Sequence, residues 1–173
     1  TQELDLFQAS INGLTAYDIP YQGGQFSLRI IPLPEGRKMV DLTQSLSKHD
    51  WSDWSLQMRA QHCILSLPKF KIAAESVSVA EKMQHLGVKE IFSTHADFTP
   101  MLGQAGKSHH LDNVFHAVAI EVDEMGTELV SATVATVKSK SLKQTCLINR
   151  PFLFAVIDKQ FSTPLVLGVI HQP

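Results

Sequence analysis

Apolar and polar residues alternate over three early stretches, Phe7–Leu14, Thr15–Tyr21 and Phe26–Leu33, with Gly23-Gly24 between the last two. Period-two alternation broken by a glycine pair predicts an antiparallel strand meander. Pro32, Pro34 and Gly36 end it. The spacing then becomes helical: Met39, Leu42 and Leu46 predict one short helix, and a second starting at Asp50 places Trp51, Trp54 and Met58 on one face. Tryptophans in that setting are core anchors rather than a ligand cage. A third helix follows, with Ser78 and Glu81 as a capping box, Val79, Met83 and Leu86 on one face, and Gly87 placed to stop it. The remainder reads as strand and loop, so the expected class is α+β. No repeat, low-complexity tract or proline-rich linker divides the chain.

Composition allows one complete domain: 173 residues, 44% hydrophobic, 18% charged, net charge −2. No signal peptide or transmembrane run is visible, and no Asn-x-Ser/Thr acceptor occurs. Of the eight histidines, His109 and His110 with Asp112 invite a metal reading. Adjacent histidines point apart on a strand, however, and no spaced Cys or His set accompanies them, so neither a metal nor another cofactor is expected. There is no glycine-rich phosphate loop or broad basic face, which argues against nucleic acid. Nor does any nucleophile sit at a recognisable spacing from a base, so no enzyme is expected.

The most informative stretch lies later. Ser131–Val137 (SATVATV) is small, β-branched and uncharged, and prefers a sheet. Lys138, Ser139, Lys140, Ser141 and Lys143 follow at once. Small polar and basic residues of this kind make an exposed loop tip, and a Lys-Ser bond there suits a protease whose pocket holds a basic side chain with an acidic group. From the local pattern, two readings stand side by side: a surface strand with a basic turn, and a strand-competent segment ending in protease bait.

Seven segments in order resemble the serpins, the serine protease inhibitor superfamily. They are LSLPKFKI (Leu65–Ile72), LGVKEIFS (Leu86–Ser93), ADFTPM (Ala96–Met101), VFHAVAIEV (Val114–Val122), DEMGTE (Asp123–Glu128), NRPFLFAV (Asn149–Val156) and VLGVIHQP (Val166–Pro173). The resemblance covers nearly everything from Phe7 to Pro173. It implies a serpin fold in which this chain supplies the carboxyl-terminal half: mainly antiparallel strands of sheets B and C, two strands of the large sheet A and a few short helices. Residues 1–173 are then one portion of a single serpin domain, with the reactive-centre loop at about 126–148.

By the same resemblance, Glu124, Gly126, Thr127, Glu128 and Leu129 form the hinge of that loop. Counting forward from Gly126 and backward from Asn149 with the family's usual loop lengths, both counts meet at Lys140–Ser141. Lys138 is an alternative cleavage point. The implied function is suicide inhibition of a trypsin-like serine protease: attack at Lys140, an acyl-enzyme, and insertion of the cut loop into the large sheet. Strand alternation with the family's phase turns Thr127, Leu129, Ser131 and Thr133 inward. Leu129 departs from the small residues that inhibitory members carry there, and a bulky inward residue can overpack a fitted site by about 1–3 kcal/mol.

Further roles are implied in the same way. Lys69 and Glu124 match a pair bridging the top of the large sheet, and His116 matches a histidine where the sheet opens. Cys63 and Cys146 fall on neighbouring strands, which leaves a disulfide and two free thiols both open. The chain has about half a serpin's length, so the amino-terminal half is an expected partner, and through it a glycosaminoglycan. No membrane partner is expected. Most serpins with a trypsin-directed loop are secreted, with a cytoplasmic setting left open. Three functions follow: an inhibitor, a non-inhibitory carrier, precursor or chaperone whose loop is cut without trapping, and a truncated form whose edge strands bind other chains.

Overall fold

The early alternation does form a meander, yet its first turn lies inside the stretch that the pattern assigned to one strand. Strand β1 is Gln2–Ile11, β2 Leu14–Pro20 and β3 Phe26–Pro32. Asn12 and Gly13, with φ of 52° and 76°, turn the chain between β1 and β2. Two successive positive-φ residues make the tight turn whose twist matches a hairpin, and Asn-Gly is the dipeptide that tolerates it. The computed structural model describes residues 2–73, 75–123 and 144–173. The remaining elements are helices α1 (Met39–Ser45) and α2 (Lys48–Gln57), strands β4 (Arg59–Ser66), β5 (Phe70–Ala73) and β6 (Val77–Ser78), helices α3 (Ala80–His85) and α4 (Thr99–Leu102), then strands β7 (Phe115–His116), β8 (Ala119–Val122), β9 (Gln144–Leu147), β10 (Phe152–Asp158) and β11 (Thr163–Ile170). Two compact units result, 1–70 with 121–173, and 71–120.

The first unit is built on a seven-stranded sheet in the order β11-β10-β3-β2-β1-β4-β9. Every neighbouring pair is antiparallel except β4 and β9, which run parallel. This order forces a curl. From β10 to β9 is five strand spacings, or about 24 Å across a flat sheet, whereas the link from Leu147 to Phe152 reaches at most about 18 Å. The linker accordingly bridges two strand ends: the Ile148 N–H donates to the Ser66 carbonyl and the Leu33 N–H to the Pro151 carbonyl, each at 2.8 Å.

Helices α1 and α2 cover one face, burying Leu42, Trp51 and Trp54 with Ile31, Leu153 and Ala155. The tryptophans are core anchors, as their spacing predicts. Helix α2 begins at Lys48 and not at Asp50. Asp50 is the third helical residue, and its carboxylate accepts the Ser47 N–H at 2.6 Å; a serine followed three residues later by an acid marks the cap one turn before the position the apolar pattern suggests. Met58 lies just past the helix and still packs on the core.

Inside this core sits a charged pair. Arg29 (0% exposed) and Asp18 (4%) face one another in the register of β2 and β3. Arg29 Nε and Nη2 donate to the two Asp18 oxygens at 2.6 and 2.8 Å. Nη1 donates to the Trp51 carbonyl and Nη2 also to Ser55 Oγ, both at 3.0 Å, while the Ser27 hydroxyl donates to Asp18 at 3.3 Å.

In the second unit, β6 and β7 pair antiparallel, Val77 opposite His116. The expected Ser78–Glu81 capping box is not formed. Ser78 is in β6 and its hydroxyl donates to Asn113 Oδ1 at 2.6 Å, while Val79 holds the cap position of α3. Gly87 (φ 97°) does stop that helix, with the Gly87 N–H on the Gln84 carbonyl and the Val88 N–H on that of Met83. Leu86, expected on the helix's inner face, is 85% exposed. Helical turns at Glu90–Phe92, Thr99–Leu102 and Gly103–Ser108 replace the expected strand and loop. Asp97 accepts the Thr99 N–H at 2.8 Å, and this bond lowers its pKa.

On the sheet surface, His62 of β4 lies opposite Asp5 of β1. Its Nδ1 is 2.7 Å from Asp5 and its Nε2 3.0 Å from Glu3. Two carboxylate partners need both ring nitrogens protonated, so its pKa is raised, first by Glu3 and then by Asp5.

Three outcomes are expected. Asp18→Ala strands a buried guanidinium and should cost about 3–5 kcal/mol, read as a denaturation midpoint; replacing both partners with apolar residues should recover much of the loss. Gly168 pairs with Phe154 across β10 and β11, and a Cβ there would run into the Phe154 ring, so Gly168→Ala should destabilise by about 1–3 kcal/mol. The contribution of His62 is fully present below its ordinary pKa near 6.5 and disappears as pH rises through the raised value. NMR titration should place that midpoint above 6.5, and Glu3→Gln should return it toward 6.5.

Candidate functional site

Glu124, Gly126, Thr127, Glu128, Leu129, Lys138, Lys140 and Ser141, and the strand expected at Ser131–Val137, lie outside the described residues. What the structure gives is the two flanks. Upstream, β8 pairs with β5 in a two-stranded sheet and alternates so that Ile120 and Val122 turn inward. Downstream, β9 ends the sheet among the described residues, with β4 as its neighbour there. Its alternation turns Cys146 and, just beyond, Ile148 into the interior, while Thr145 and Leu147 face out. Parallel strands cannot be joined by a tight turn, so the chain from β4 to β9 makes a long excursion that includes the whole second unit.

Cys63 and Cys146 form a disulfide between β4 and β9, with Cα atoms 6.0 Å apart, inside the range such a bond requires. No free cysteine remains. Leu65 is the direct partner of Cys146 and Cys63 that of Gln144, so the two cysteines are diagonal neighbours on the inner face. Facing depends on register, which sequence order alone does not give.

Lys69 is exposed just before β5, and the Phe70 ring meets Phe154 at a tilt and Phe152 edge-on, at 5.0 and 5.7 Å between ring centres. His116 is on β7, exposed and not a core histidine. Lys69 and His116 belong to different units, and the expected partner of Lys69, Glu124, is outside the described residues. Among the described residues no three His, Cys, Asp or Glu side chains gather to hold a metal; His109 Nδ1 is engaged by the Ala105 carbonyl at 2.7 Å. A shallow polar depression of about 380 Å³ is lined by Gln8, Ser10, Gln57, Arg59 and Gln61. Tyr17, half-buried on β2, has its pKa raised by burial against the opposing effect of Arg150.

The sequence reading missed the Asp18–Arg29 network and the His62 cluster. The first left a signal: an arginine within the apolar run FSLRIIPL, and an aspartate within TAYDIPY, on adjacent expected strands.

Known proteins match this chain along its whole length. The family model "Serpin (serine protease inhibitor)" matches residues 1–173. An alpha-1-antitrypsin homolog of Cyprinus carpio is 31% identical over 173 residues, covering 100% of this chain and 45% of that protein. The plasma serine protease inhibitor of Homo sapiens is 33% identical over 162 residues, covering 90% and 37%. The native crystal structure of tengpin, a thermophilic serpin, superposes with a TM-score of 0.79 at 24% identity, over 99% of this chain and 46% of that one. The chain spans less than half the length of these relatives. No helix among the described residues is long and apolar enough to cross a membrane. A match along all 173 residues, on an α+β framework that superposes on a solved serpin, establishes that the chain belongs to the serpin family.

Proposed function

We propose that this chain is the carboxyl-terminal portion of a single serpin domain and carries the bait with which the whole protein inhibits a trypsin-like serine protease. The observation that carries this reading is the position of a lysine where counts from the hinge at Gly126 and from Asn149 meet, in a family described as serine protease inhibitors. The protease hydroxyl attacks the Lys140 carbonyl, the Ser141 amine leaves, and an acyl-enzyme holds Lys140. Residues upstream of the cut, from Thr127 onward, then enter the large sheet as a new strand, gaining ladder hydrogen bonds and buried side chains. Part of that sheet belongs to the amino-terminal portion, which is therefore a required partner. The buried Cys63–Cys146 bond suits an oxidising, extracellular setting.

Leu129 favours a second reading. If the site it enters is fitted to a small side chain, overpacking slows insertion and the acyl-enzyme hydrolyses first. The protein is then a non-inhibitory serpin, cut at Lys140 without trapping.

The test mixes the complete protein with trypsin at equimolar ratio and follows denaturing electrophoresis and intact mass. A covalent complex is expected, and Lys140→Ala should slow its formation on the order of 10⁴-fold, because a pocket built around a basic group is left with an unpaired charge. Clean cleavage after Lys140 with active trypsin released would establish the second reading. Cleavage after Lys138 would move the reactive bond.

A further inference from the structure

We propose that the Cys63–Cys146 disulfide is a redox-operated clasp. Closed, it holds β9 on β4 and keeps the chain covalently whole after a cut anywhere within residues 124–143; opened by a dithiol reductant, it releases both constraints.

The topology carries this. Cys63 and Cys146 are 83 positions apart, and the chain between them contains the second unit and all of residues 124–143. That stretch is a covalent ring closed by the S–S bond. One peptide cut in a linear chain makes two molecules, but one cut in a ring only opens it. After hydrolysis at Lys140–Ser141, the fragment beginning at Ser141, with β9, β10 and β11, stays bonded through Cys146 to Cys63.

The clasp sits where the sheet is otherwise weakest. β9 is a four-residue strand with one neighbour among the described residues, and its pairing is parallel, the less stable ladder per residue. β10, by contrast, is bonded on both sides and almost wholly buried. A closed bond therefore makes release one-sided: a cut frees the upstream end to move while the downstream end stays docked. Both cysteines are buried, at 1% and 3% exposure, so a reductant reaches the bond when β9 lifts from β4. Reduction itself is conventional exchange: a thiolate of the dithiol attacks one sulfur and the Cys63–Cys146 bond breaks. The second thiol then closes the reductant's own disulfide, so two electrons and two protons pass to the cysteines.

The biological sense of the clasp rests on reading 124–143 as the attacked segment; the ring does not, and the test separates the two. The complete protein carrying this sequence is alkylated without reductant, treated with limiting trypsin, and examined by denaturing electrophoresis and intact mass with and without dithiothreitol. A cut within 124–143 should leave one covalent species heavier by one water, or one joined to trypsin, from which the fragment downstream of the cut separates after reduction. Separation without reductant, or alkylation of both cysteines beforehand, would overturn the clasp. A cut away from Lys140, or no trapping, counts against the inhibitor and leaves the mass comparison to decide the ring. In a second arm, hydrogen exchange of the uncut protein should speed up at Thr145–Leu147 on reduction and change little at Phe152–Asp158. Unchanged exchange in β9 would sink the proposal, also for a protein that trypsin does not cut in this segment, and no cysteine variant has to fold for this arm.

Discussion

A buried ion pair, Asp18–Arg29, is what the first unit is arranged around. Removing both charges from water costs several kcal/mol per ion, and only good geometry with satisfied donors offsets that. Here the guanidinium engages the carboxylate through two nitrogens, and its other bonds go to the Trp51 carbonyl and Ser55 of α2. The two tryptophan rings lie 6.0 Å from its Cζ, at the limit of useful cation–π attraction. These bonds are directional where apolar packing is not. They fix α2 in one place over β2 and β3, and thereby fix the core that the helix closes.

From that point a chain of attachments leads to β9, the downstream flank of residues 124–143. β3 and β2 hold β1 through the meander, β1 holds β4, and β4 holds β9 by four parallel register pairs and one disulfide. On the solvent side the β1–β4 step is reinforced by His62 between Glu3 and Asp5. The two flanks of residues 124–143 therefore differ in kind. The downstream flank is tied covalently into a curled seven-stranded sheet, whereas the upstream flank, β8, belongs to a two-stranded pairing. For a mechanism in which only the upstream side of a cut strand must travel, this is the useful asymmetry.

Much of this was legible because it depends on local chemistry. The meander follows from alternation, the tryptophan anchors from helical spacing, and the α3 stop from Gly87. What sequence alone missed was decided by register and by pairing with residues distant in sequence. The Asn12-Gly13 turn did leave a signal, because the apolar phase changes across it, from Phe7, Ala9 and Ile11 to Leu14 and Ala16. The Ser78 capping box failed because Ser78 is paired with Phe115 in the β6–β7 ladder, which leaves Val79 at the cap position of α3. Cys63 and Cys146 stayed undecided between thiols and disulfide because one step of register turns a strand residue to the opposite face. The bait segment itself was read from family spacing, which gives order along the chain and not conformation.

The second unit shows why an amphipathic pattern can be right about a face and silent about its partner. The apolar residues at positions 83 and 86 mark one side of α3, yet Leu86 is exposed, as are Met101 (79%) and Phe115 (67%), while the residues buried there are small ones such as Ala80 and Ala96. Large apolar side chains left open while small ones are buried mean that this unit does not cover its own hydrophobic surface. The hydrophobic period of α3 therefore identifies a face, and Leu86, next to Gly87 at its end, stays exposed on it.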